Sequence, residues 1–119
     1  MWRNGPNLPR VSLVRRALIS DIHGNLEAFH RVLEAIDARN VDEIISLGDI
    51  LGYGPDPAAC ADLVAERCSF SLMGNHDYAV LYEPTNCNEA AKLAAYWTRE
   101  QISGTNPKSD SDIKRIDFL

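Results

Sequence analysis

Ala17-Leu18-Ile19-Ser20-Asp21-Ile22-His23-Gly24-Asn25 is a short apolar run that stops in a polar, turn-forming cluster. From there the period changes: Leu26, Phe29, Val32, Leu33 and Ile36 recur at helical spacing through about Arg39, the stripe of an amphipathic helix. The strand, loop and helix pattern then repeats. Ile44-Ile45-Ser46-Leu47 ends in the loop Gly48-Asp49-Ile50-Leu51-Gly52-Tyr53-Gly54-Pro55. Asp56-Pro57 opens the next helix, with Asp as N-cap and Pro at the first helical position, and Cys60, Leu63 and Val64 face its core. A third run, Phe70-Ser71-Leu72-Met73, leads into the loop Gly74-Asn75-His76-Asp77. A further helix is predicted from Asn88 to about Gln101, with Ala91, Ala94, Ala95 and Tyr96 to pack. Apolar runs alternating with helical stripes predict an α/β fold built of βαβ units on a largely parallel sheet.

Outward from this centre the chain is less patterned. Residues 1–13 read as a loose leader, whose longest following apolar stretch before Asp21 is too short for a signal peptide. Residues 14–104 read as the folded part. After Gly104 comes a polar, turn-rich tail over 105–119, off the βα pattern. The chain has 119 residues, 45% hydrophobic and 24% charged, a globular composition rather than a disordered or membrane one. Twelve basic against 17 acidic side chains give a net charge of -5, which excludes nonspecific nucleic-acid binding, since that needs clustered Lys and Arg. No membrane association is expected. Cys60, Cys68 and Cys87 form no CxxC pair, so reduced thiols and a cytoplasmic location are expected. No GxxxxGK[ST] or GxGxxG is present, which argues against a nucleotide-binding loop.

Parallel strands present their carboxyl ends along one edge, where ligands of open α/β sheets bind. Asp21, His23, Asp49, Asn75 and His76 all follow apolar runs, so they are expected to converge there. Their oxygens and imidazole nitrogens suit Mn, Fe, Zn or Ni better than a Ca²⁺ cage. In Asp21-Ile22-His23 the alternation of an extended chain sends both side chains to one side. Asp49 has two oxygens, enough to bridge two cations of the kind that clamp a phosphate for in-line displacement. Taken singly, each motif also has a plain structural reading: Asp21 as a helix cap, Gly48-Asp49 or Gly74-Asn75-His76-Asp77 as a turn. Their conjunction in this order favours chemistry. His30, on the flank of the first helix, reads as a boundary residue.

The three motifs, Asp21-Ile22-His23, Gly48-Asp49-Ile50-Leu51-Gly52 and Gly74-Asn75-His76-Asp77, resemble the opening motifs of the calcineurin-like metallophosphoesterase superfamily, in particular its small bacterial and archaeal phosphodiesterase-like branch. The resemblance covers roughly Arg16 to Gln101. It implies an αββα sandwich of two stacked sheets flanked by helices, of which this chain would form the amino-terminal βαβαβ portion. It further implies a hydrolase acting on phosphate mono- or diesters through a metal-activated hydroxide, on a small-molecule or nucleotide substrate. Asp21 and His23 would hold one divalent metal, Asp49 would bridge to a second, and Asn75 would bind that second ion. His76 would be the catalytic imidazole, as general acid or charge stabiliser, with Asp77 orienting its ring. The family supplies three further histidines, whereas this chain has only His23, His30 and His76. The expectation is therefore an N-terminal half ended early, with low metal occupancy and an uncovered sheet that favours self-association. The alternative is a non-catalytic domain of the same fold that binds a partner or a phosphate-bearing ligand.

Overall fold

The computed structural model describes residues 13–85, 87–104 and 109–119. Three strands, β1 (Arg16–Ile19), β2 (Glu43–Ser46) and β3 (Phe70–Ser71), form one parallel sheet in the order β1-β2-β3. Register pairs Leu18 with Ile45 and Ile45 with Phe70, while Ile19 pairs with Ser46 and Ser46 with Ser71. The expected leader, apart from Leu13, lies outside the described residues, as do residues 105–108 of the expected tail.

The crossover helices are α1 (Leu26–Asp37) and α2 (Pro57–Arg67). In α1 the predicted stripe is buried at Phe29, Leu33 and Ile36, but Val32 is 42% exposed. The Asn25 side chain caps it by accepting from the Ala28 amide at 3.1 Å. Asp56 does occupy the N-cap of α2, yet its side chain makes no capping bond; its backbone N–H instead reaches the Gly24 carbonyl at 3.0 Å, tying the helix start to the first loop. Cys60, Ala61 and Val64 bury against α1 and the sheet. Burial pushes the Cys60 thiol up to about 12, aided by the Asp56 and Glu27 charges, so it is an apolar core atom in practice. All three cysteines are free.

Two helices depart from the sequence reading. Gly74-Asn75-His76-Asp77 is not a free loop, because Asn75 begins a short helix, α3 (Asn75–Leu81). The polar tail likewise contains α5 (Asp110–Phe118), started by a reciprocal cap between Ser109 and Asp112. Arg115 anchors α5 to α2 through Asp62, its Nε and Nη2 donating at 2.7 and 2.8 Å, and also bonds Asp112. Between them runs α4 (Glu89–Ser103), close to the predicted span from Asn88 to about Gln101, with the Asn88 side chain as its N-cap. Its buried face is Ala95, Thr98 and Ile102, whereas Tyr96 is 43% exposed. Arg99 of α4 satisfies the carboxyl end of α3, donating to the carbonyls of Ala79, Val80 and Tyr82.

Ile19 and Ile44 belong to the core with α1 and α2, so both crossovers cover one sheet face. The other face carries the register row Leu18–Ile45–Phe70, with Leu18 63% and Phe70 49% exposed. Leu47 and Leu72 extend it by the two-residue period and are also exposed. Among the described residues no helix is long and apolar enough to cross a membrane.

Candidate metal centre

The strand ends do not release their loops into solvent. Past Ile19, the β1–β2 ladder continues as a run of backbone bonds: Asp21 N–H to the Gly48 carbonyl at 3.1 Å, His23 N–H to Asp49 at 3.0 Å, and Gly24 N–H to Ile50 at 2.9 Å. The first two loops are thereby zipped together over the sheet edge, and Gly54 N–H closes the zip on the His23 carbonyl at 2.8 Å. Asp21, His23 and Asp49 then offer an oxygen, a nitrogen and an oxygen all within 4.8 Å of one another.

The convergence was expected, but its cause is different. Asp21 and His23 are not in extended chain: their φ values are 57° and 47°, and Asp49 has 53°. A chain curled through the left-handed region, rather than strand alternation, aims the three donors at one point. Each such residue without glycine costs of order 1–2 kcal/mol, so the zip of backbone bonds must hold them there.

Electrostatics fit a cation. Asp21 is held below the ordinary carboxyl range, chiefly by the Ser20 hydroxyl, which donates at 2.6 Å; partial burial opposes this, and the neighbouring His23 adds to it. The His23 Nδ1 lies 2.9 Å from the Leu51 carbonyl. A carbonyl only accepts, so Nδ1 donates there, and Nε2, 3.4 Å from Asp21 Oδ1, is the nitrogen that faces the donor cluster. Two carboxylates and an imidazole nitrogen are a donor set for a borderline divalent ion, so the residues present fit such a group.

The third loop is fixed by a side chain read differently from sequence. Asp77 is 2% exposed, and its carboxylate accepts from three backbone amides: Asp49 at 2.8 Å, Gly74 at 2.9 Å and Leu51 at 2.9 Å. Its hydrogen bonds thus go to backbone amides rather than to the His76 ring that it was expected to orient. It staples the start of α3 to the second loop, and Asp49 Oδ1 completes the staple by accepting the His76 amide at 2.9 Å. That bond also fixes the rotation of the Asp49 carboxylate. The approach is so close that a Cβ on Gly74 would stand 2.1 Å from Asp49 Oδ1, and one on Gly48, at φ 103°, would stand 2.5 Å from the Gly74 nitrogen. The glycines of the second and third motifs are thus needed for each other.

Asn75 and His76 line a cavity beside the donor triad, while the backbone amide of His76 belongs to the staple. The His76 ring lies 4.8 Å from that of His23, edge to face. Tyr53, which sequence reasoning does not single out, packs against both, at 5.0 Å from His23 and 4.7 Å from His76. It is 69% exposed and has φ 64°. Its one sequence signal is an aromatic residue held between two glycines in a ligand loop. His30, read from sequence as a boundary residue, is exposed on α1.

Comparison with known proteins agrees with this geometry. The family model for calcineurin-like phosphoesterases matches residues 14–116. A protein of Methanocaldococcus jannaschii, itself uncharacterized, is 43% identical over 94 residues, which are 77% of this chain and 39% of that protein. The chain is also similar in structure to a metallophosphoesterase from Sphaerobacter thermophilus, with a TM-score of 0.66 and 38% identity over 91% of this chain and 42% of that one. It thus spans about two-fifths of the length of the relatives it matches.

Proposed function

This chain belongs to the calcineurin-like phosphoesterase family, and from that premise we propose that it serves metal-dependent hydrolysis of phosphate mono- or diesters. The observation that carries the reading is the convergence of Asp21, His23 and Asp49 within 4.8 Å, next to a further imidazole, His76. Asp21 and His23 would hold one cation, and Asp49 would share it with a second ion bound by Asn75. A divalent cation there, Mn, Fe, Zn or Ni, supplies positive charge to phosphate oxygens and acidifies water. Asp49, its rotation fixed by the His76 amide, orients the donor set. His76 lies at the cavity edge, where its imidazole donates a proton to the departing oxygen or meets the charge that develops on the phosphate. With four donors for two ions on this chain, weak cation binding is expected. The reduced thiols support the proposal of a cytoplasmic location.

The test is hydrolysis of p-nitrophenyl phosphate and bis(p-nitrophenyl) phosphate by the full chain with excess Mn²⁺. Turnover is expected, and His76→Ala should lower it by about 100-fold while cation binding measured by calorimetry stays unchanged. Loss of the cation in His76→Ala would refute the assigned role. Absence of turnover, with phosphate still bound, would favour a non-catalytic binding domain.

The bare sheet face supports a second proposal, that copies of this chain associate through it. Leu18, Phe70, Leu47 and Leu72 are all at least 44% exposed there, a contiguous apolar surface of the kind that marks interfaces. Sedimentation velocity should show a concentration-dependent species heavier than the monomer, and Leu18→Lys should abolish it. A monomer at every concentration would contradict this.

A further inference from the structure

Resting on the phosphoesterase reading, we propose that the cavity between Tyr53, His76 and the inner face of α4 is the leaving-group subsite, and that it takes a flat, uncharged aromatic alcohol. The cavity holds about 240 Å³, room for an aryl group or a nucleobase rather than for a bulky chain. It opens beside the imidazole assigned to the departing oxygen, so an ester whose phosphate faces the donor triad sends its alcohol portion inward.

The wall chemistry specifies the occupant. One side is aromatic, with Tyr53 and His76 4.7 Å apart and tilted by 52°, a surface suited to edge-on or offset contact with another ring. The opposite side is small and mostly aliphatic, with Ala91, Ala94 and Ala95 of α4 and Val80 of α3, and the uncharged Cys87 and Asn88 complete the lining there. Positions three and four apart share one helix face, and here they keep the space open. The bulk of α4 points elsewhere, with Leu93, Tyr96 and Trp97 exposed by 43% or more. No Lys, Arg, Asp or Glu is among the described lining residues. Beyond the His76 imidazole, which serves the departing oxygen, a second phosphate or carboxylate on the alcohol would meet no counter-charge and would lose its hydration. The site therefore discriminates in favour of neutral aromatic alcohols and against polyanionic ones.

The test is binding, independent of turnover. The full chain, labelled at alanine methyl groups, is titrated by NMR with phenylphosphonate, methylphosphonate and benzyl alcohol in the presence of Zn²⁺. Phenylphosphonate should bind at least about fivefold more tightly than methylphosphonate, as one buried ring face predicts. Only the aromatic probes should shift the Ala91, Ala94 and Ala95 methyls. Ala94→Leu, which fills the cavity, should equalise the two phosphonates by weakening the aromatic one alone. Tyr53→Ala, at an exposed wall position, should narrow the preference without a folding penalty. Equal phosphonate affinities with unmoved methyls would overturn the subsite and leave the phosphate site standing. If neither phosphonate binds while benzyl alcohol shifts the same methyls, the phosphoesterase reading fails and the leaving-group assignment falls with it.

Discussion

Asp77→Ala should destabilise the fold by roughly 3–5 kcal/mol, since it strips a buried carboxylate from donors that have no other acceptor. The side chain is 2% exposed and serves the amides of Asp49, Leu51 and Gly74. Each amide sits in a loop with no ladder partner to fall back on, and a single small domain has only about 5–15 kcal/mol in total. Asp77→Asn should not rescue it: an amide can turn one oxygen toward the donors, but its NH₂ then faces an N–H. Urea unfolding followed by circular dichroism reads the effect as a fall in midpoint. If Asp77→Ala kept the parent midpoint and lost only turnover, the carboxylate would be acting through His76 after all.

Asp49→Asn should weaken divalent-cation binding by more than about 100-fold, beyond what losing a mere supporting hydrogen bond costs a metal site, and should end any turnover. The substitution isolates charge from shape. Asparagine keeps an oxygen able to accept the His76 amide, which Asp49 Oδ1 now accepts at 2.9 Å, so the staple between the second and third loops survives. What disappears is one of the two carboxylates in a donor triad only 4.8 Å across. Titration calorimetry with Mn²⁺ or Zn²⁺ reads the affinity, and if two ions bind the parent, both should weaken together. Unchanged stoichiometry and affinity would remove Asp49 from the site.

These two aspartates also show what could and could not be read without coordinates. Asp21, His23 and Asp49 were legible because a ligand-bearing residue directly after an apolar run is carried to the sheet edge by topology alone. The three strands and helices α1, α2 and α4 were legible from periodicity. The role of Asp77 was not. A carboxylate next to a histidine in the chain reads as its partner, whereas the decisive contacts are amides 26 and 28 positions away, donors that every residue carries and no pattern marks. Helix α3 was hidden for a related reason: its first turn is polar because its side chains face a site and a staple, so it has no apolar stripe. Helix α5 is held by long-range contacts that spacing cannot announce: Arg115 with Asp62 and with the Ile102 carbonyl, and Phe118 and Leu119 against the core. Tyr96 was read as core from its place in the α4 stripe, but Thr98 and Ile102 take that burial.

Among the described residues, five other than glycine have positive φ, and four of them, Asp21, His23, Asp49 and Tyr53, stand at the candidate site. Selection for thermal endurance alone would push all four toward glycine, which relaxes the backbone there but carries neither a donor atom nor a ring. Function and endurance therefore pull against each other at these positions. Compensation has to come from parts of the molecule away from the candidate site, and the natural place to look for stabilising change in relatives is the periphery, such as the junction of α5 with α2, rather than the loops that carry the candidate site.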